Sequence, residues 1–137
     1  MASLVINGNT SGGITLSAPA VAGSNTISLP ASTGTAALTS DVIGVNQTWN
    51  DVTASRALTT TYTNTTGKPI MVNVRVSVNS VATMALAVGG LAIATARNDN
   101  ASVVSATLSA IVPNNVTYSV TKSGAGTGTI NLWSELY

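Results

Sequence analysis

The sequence predicts an all-β protein: an antiparallel β-sandwich or jelly-roll-like domain preceded by an extended N-terminal β-arm, assembled as a homotrimer. Three observations predict the β class. Val and Thr are abundant while Glu, Lys and Gln are nearly absent, a bias that suits a pleated, half-buried surface and disfavours helix. No stretch of about 15 residues carries a sustained 3.6-residue apolar period between helix caps. Between Ile70 and Ser80, by contrast, alternation is strict. Ile70, Val72, Val74, Val76 and Val78 fall on one face, and Met71, Asn73, Arg75, Ser77 and Asn79 on the other.

Taken in order, the first forty residues differ from the rest. Four short apolar pieces, Leu4-Val5-Ile6, Ile14-Thr15-Leu16, Ile27-Ser28-Leu29 and Ala36-Ala37-Leu38, are separated by Gly, Ser, Thr and Pro. Each is too short to found an independent sheet. Such a segment is either a loosely ordered tail or an arm that gains its order from partner subunits. The regular return of aliphatic residues favours the arm, because a linker has no need of them. The boundaries that follow are an arm over residues 1–41 and a β-domain over residues 42–137. Leu4, Ile6, Ile14, Leu16, Ile27, Leu29, Leu38 and, at the junction, Trp49 are the candidate contact residues. Burying aliphatic pieces of an extended arm around an axis suits a trimer better than a planar dimer.

Longer strands begin near Val45. Arg56 to Tyr62 reads as a strand closed by the turn Asn64-Thr-Thr-Gly-Lys-Pro69. After the alternating strand from Ile70, Met84–Val88 and Leu91–Thr95 flank Gly89-Gly90, a two-residue turn whose glycines can take the positive φ of type I′. Arg97-Asn-Asp-Asn100 is a polar turn. Val103 to Val112 is a strand with Val104, Ala106, Leu108, Ala110 and Val112 in phase, and Pro113-Asn-Asn115 breaks the chain before Val116–Val120. Lys122 to Gly128 reads as a flexible glycine-rich turn, and Thr129 to Tyr137 as the last strand. Strands at this spacing fit a sandwich or jelly roll.

Composition excludes whole classes of function. Charged residues make up 7% of the 137, with 5 Lys+Arg, 4 Asp+Glu, no His and no Cys. Ser, Thr, Asn and Gly occupy 62 positions instead. Without His or Cys there is no Ser-His-Asp or Cys-His triad, no His-based metal cage and no redox dithiol. Asp41, Asp51, Asp99 and Glu135 are too scattered to propose a calcium loop or a glycosidase pair. Arg56, Lys68, Arg75, Arg97 and Lys122 make no stripe for a phosphate backbone. The expectation is therefore no enzyme, no cofactor, no metal and no nucleic-acid partner. The most apolar stretch, Met84 to Ala96, is interrupted by Gly89-Gly90 and too short for a membrane helix. The start, Met1-Ala-Ser-Leu-Val-Ile, lacks the basic region of a signal peptide, which predicts synthesis in a cytoplasm.

Of the two tryptophans, Trp133 reads as a core filler. Trp49, in Asn46-Gln-Thr-Trp-Asn-Asp51, reads as an interface or hinge residue, or as a sugar-stacking platform beside Asp51 and Arg56. Arg97 and Asp99 read as an ion pair or as plain solubilising charge.

Several phrases carry a resemblance. Ile14-Thr-Leu-Ser-Ala-Pro, with Gly23-Ser-Asn-Thr-Ile-Ser-Leu-Pro-Ala-Ser-Thr-Gly-Thr-Ala-Ala-Leu-Thr-Ser-Asp41, is similar to a connector of tailed-bacteriophage structural proteins, chiefly fibres and small head-surface proteins. Val45-Asn-Gln-Thr-Trp-Asn-Asp-Val-Thr-Ala-Ser-Arg56, Tyr62-Thr-Asn-Thr-Thr-Gly-Lys-Pro-Ile70 and Gly128-Thr-Ile-Asn-Leu-Trp-Ser-Glu-Leu136 resemble a C-terminal β-domain of the same proteins. The resemblance implies a non-enzymatic trimeric virion component on the particle surface, made in the host bacterial cytoplasm. A chain of this length has little room for the attachment region, shaft and tip of a fibre. A capsid decoration (cement) protein that binds the major capsid protein through its arm is thus the first expectation. A short tail fibre or receptor-binding tip recognising a host glycan is the alternative.

Overall fold

The alternation from Ile70 produces the longest uninterrupted pairing in the protein. The computed structural model describes residues 3–17, 19–21, 23–24, 26, 31 and 41–137. In chain order the strands are β1 (Ser3–Asn7), β2 (Gly13–Ser17), β3 (Trp49–Asp51), β4 (Tyr62–Thr63), β5 (Ile70–Asn79), β6 (Ala82–Val88), β7 (Leu91–Asn98), β8 (Val103–Val112), β9 (Thr117–Gly124) and β10 (Thr127–Leu136). The fold is all-β, and every pairing among the described residues is antiparallel. The chain forms two compact units, Met1–Thr35 and Ala36–Tyr137.

In the larger unit, one sheet has the order β3-β10-β5-β8 and the other β4-β9-β6-β7. Only the β6–β7 hairpin joins neighbours within a sheet; the other connections from β3 to β10 cross between sheets. Both sheets line one core, an arrangement compatible with a β-sandwich. β5 supplies Ile70, Val72, Val74, Val76 and Val78, all buried, as predicted from their spacing. Leu108, Ala110, Val112 and Trp133 join them from β8 and β10, facing Met84, Leu86, Ala96, Tyr118 and Val120 of the second sheet. Burying each such aliphatic side chain contributes about 1.5–3 kcal/mol relative to exposure. Gly89 and Gly90 take φ of 59° and 83°, as the type I′ turn requires.

Two buried asparagines clasp the ends of the sandwich. The Asn64 side-chain amide donates to the carbonyls of Lys68 (2.7 Å) and Val112 (3.0 Å), and its oxygen accepts from the Thr66 N–H and hydroxyl. Asn98, at the end of β7, donates to Val78 of β5 (2.9 Å) and to the Ser102 carbonyl. Both therefore tie the turns to strands of the first sheet.

Three expectations need correction. Arg56 to Tyr62 is not a strand. A 3-10 turn over Thr53–Ser55 leads into a loop in which Thr59 has φ 63°, and only Tyr62 and Thr63 pair, with β9. The Thr59 N–H donates to the Val120 carbonyl, and the Arg56 side chain is drawn inward, so the segment does not run as a strand. Lys122 to Gly128 is not a flexible turn either. β9 and β10 run through it, leaving Ala125 and Gly126 between them. Gly124 has φ 88°, and a Cβ on Gly126 would lie 2.1 Å from the Asn79 carbonyl oxygen, because the β5–β6 turn packs against this one. Third, residues 3–17 are not an extended arm. β1 returns as β2 in a hairpin, closed by the Gly8 N–H donating to the Gly12 carbonyl (2.8 Å). A Cβ on Gly8 would sit 2.4 Å from the Ser11 oxygen, so the return requires glycine there. Ile27, Leu29 and Leu38 lie outside the described residues.

The packing at Gly126 sets a test. Gly126→Ala should destabilise the β-domain by about 1–3 kcal/mol, the usual cost of overpacking against an immovable group. A urea titration followed by tryptophan fluorescence reads the shift in midpoint.

Candidate functional site

The hairpin gathers four of the residues singled out from the sequence. Leu4 lies opposite Leu16 and Ile6 opposite Ile14, so the period of two puts all four on one face. They are 54–68% exposed, and Val5 on the other face is exposed as well. An isolated two-stranded hairpin is marginal in water. Four exposed aliphatic side chains on one face make the kind of surface at which association with another chain would hide apolar area.

Trp49 lies elsewhere, on β3 at the edge of the first sheet, and is 51% exposed. Its setting follows from register. Trp49 is opposite Leu136, Leu136 opposite Met71, and Met71 opposite Ile111. One apolar row thus crosses all four strands on the outer face. Behind it, Ser109 donates to Asn73 (2.9 Å), Ser77 meets Ser105 (3.3 Å), and Asn131, displaced by a bulge in β10, donates to Ser77 (3.0 Å), while Leu132 stands opposite Arg75 in the row between. Arg75 is the one cation on this face of β5, and it is exposed.

The sugar platform composed of Trp49, Asp51 and Arg56 is not assembled. Asp51 accepts from the Thr53 hydroxyl (2.6 Å) and N–H (3.0 Å), bonds that hold its carboxyl below the usual carboxylate range. Arg56 is committed to Glu135. Its Nε and Nη2 each donate to one carboxylate oxygen at 2.8 Å, and its guanidinium lies 4.5 Å from the centre of the Tyr62 ring. Arg97 pairs with Asp99 at the surface (2.8 Å), beside a shallow cavity of about 210 Å³ lined mainly by Val81, Ala82, Thr83, Ser123 and Gly124.

The Arg56–Glu135 pair is what sequence reading missed. Glu135 is 1% exposed on β10, and Tyr118 of β9 donates its hydroxyl to it at 2.8 Å. Pairing with Glu135 raises the Arg56 pKa. Burial, and then the bond to Glu135, push the Tyr118 phenol above its ordinary value. The Tyr62 and Tyr118 rings pack near Trp133, at 5.9 and 6.3 Å between centres. Oε1 of this carboxylate accepts from Arg56 and Tyr118, and Oε2 accepts from Arg56, so the group holds the loop, β9 and β10 together. Among the described residues, no three acidic side chains come together as metal ligands.

Removing the cation should expose that role. Arg56→Met leaves a buried carboxylate uncompensated and should cost about 3–5 kcal/mol, whereas Arg56→Met with Glu135→Leu should cost less than the single change. Urea denaturation of the two variants and the unaltered chain checks the order.

No family model matches this chain, and no curated protein or solved structure matches it either.

Proposed function

We propose that the chain is a non-enzymatic virion structural protein of a tailed bacteriophage, a trimeric capsid decoration protein that binds the outer shell and stabilises it. The observation that carries this reading is the exposed aliphatic face of Leu4, Ile6, Ile14 and Leu16 on an otherwise neutral β-rich chain. Three copies associating through these faces around an axis would cover them, and the capsid surface would cover what remains. Binding then adds buried area across neighbouring capsid subunits and resists outward pressure with no chemistry.

Two further features support it. The phrases from Ile14 to Asp41 and from Gly128 to Leu136 resemble those of phage structural proteins. The orders β3-β10-β5-β8 and β4-β9-β6-β7 are those of an eight-stranded jelly roll, an architecture shared by capsid and lectin domains. That second support is an analogy of fold.

The same analogy, with the half-exposed Trp49, favours the second reading of a short tail fibre or receptor-binding tip that stacks a host glycan. Arg56, held by Glu135, would take no part in it.

Replacing Leu4, Ile6, Ile14 and Leu16 together by Ser tests the first reading. By sedimentation equilibrium the variant's particle should weigh one third of the unaltered protein's, with the β-domain's circular dichroism unchanged. A variant that keeps its trimer, or an unaltered chain that is never trimeric, overturns the assignment.

A further inference from the structure

The four edges of the two sheets are not equally protected. β3 is three residues long and β4 is two, too short to template another chain. β7 is bent by a bulge at Ile93 and carries Arg97. β8 has none of these guards. Its ten residues, Val-Val-Ser-Ala-Thr-Leu-Ser-Ala-Ile-Val, contain no charge and no proline, and their register with β5 runs from Asn79↔Val103 to Ile70↔Val112 without a break. β5 lies on one side of it and, among the described residues, no strand lies on the other. Half of its backbone N–H and C=O groups therefore point away from the sheet.

We propose that β8 is a pairing edge for a second copy of this chain, antiparallel, about a twofold axis through Thr107. The sequence of the strand selects both partner and register. Antiparallel partners share a face, so an axis at Thr107 sets Thr107 against itself, Ser105 against Ser109 and Val103 against Ile111 on the outer face. Val103 and Ile111, 61% and 57% exposed, are the two apolar residues of that face, and each meets the other. Thr–Thr, Ser–Ser and aliphatic pairs are all favourable across strands. On the inner face Val104 meets Ala110 and Ala106 meets Leu108. Moving the axis one residue to Leu108 sets Ile111 against Ser105 and Val103 against Pro113, which has no N–H to offer.

Pairing at Thr107 makes one eight-stranded sheet, in the order β3-β10-β5-β8 followed by its inverse. It also extends the apolar row of Trp49, Leu136, Met71 and Ile111 onto Val103 of the second copy. This contact is isologous and twofold, distinct from the threefold association through the hairpin, and it stands whether or not that reading holds.

The chain has no cysteine, so one introduced thiol reports alone. Across an antiparallel pair, Cα atoms are about 4.5 or 5.5 Å apart, within the range a disulfide spans. Thr107→Cys, oxidised at micromolar concentration, should give a covalent dimer on a non-reducing gel. Ser105→Cys and Ser109→Cys should each stay single alone and cross-link when mixed. Separately, Thr107→Lys, an exposed change that sets like charges across the axis, should halve the mass of the particle in sedimentation. A Thr107→Cys thiol that does not cross-link overturns the proposal. So does Ser105→Cys dimerising alone as readily, or a Thr107→Lys particle of unchanged mass.

Discussion

One face of β5 must be hidden, and the larger unit is organised around hiding it. Ile70, Val72, Val74, Val76 and Val78 have no polar atom in their side chains and no exposure. Their strand holds β10 and β8 in long register on either side, and that extended sheet needs a second one over it. Met84, Leu86, Tyr118 and Val120 supply the cover. Connections that repeatedly cross between sheets leave backbone groups at the corners, and Asn64 and Asn98 satisfy several of them from buried positions. Glu135 is the exception in this apolar interior. A carboxylate there is tolerable because Arg56 and Tyr118 donate three hydrogen bonds to it, and the cluster fastens a loop that has little strand structure of its own.

What was legible in the sequence is what has a local period. β5 and β8 show their buried faces in alternating residues, and Gly89-Gly90 shows its turn in two adjacent glycines. What was not legible depends on residues far apart. Arg56 and Glu135 are separated by 79 positions, so nothing near Arg56 signals that its segment will be pulled out of strand conformation. Gly126 looks like a flexible spacer until the β5–β6 turn is seen against it. The candidate contact residues divide in the same way. Leu4, Ile6, Ile14 and Leu16 stand out as aliphatic residues in a polar segment, but that they share one hairpin face follows from the Gly8–Gly12 return. Trp49 stands out as a tryptophan, while its place in a row with Leu136, Met71 and Ile111 is a matter of register between strands distant in sequence.

Scarcity of charge links the fold to the function we propose. With 4 acidic and 5 basic residues, the surface has little electrostatic repulsion to keep copies apart. The hydroxyl and amide ladder over β5, β8 and β10 keeps the outer face hydrated with Arg75 as the one charge on β5. The hairpin and the β8 edge are places where a neutral surface gives way to aliphatic side chains or open backbone.

The place of the protein on a particle tests that account most directly. A reconstruction of the purified virion, with copy number from quantitative mass spectrometry, should find hundreds of copies on the outer surface of the head. A few tens of copies at the tail, or none on the particle, would contradict it.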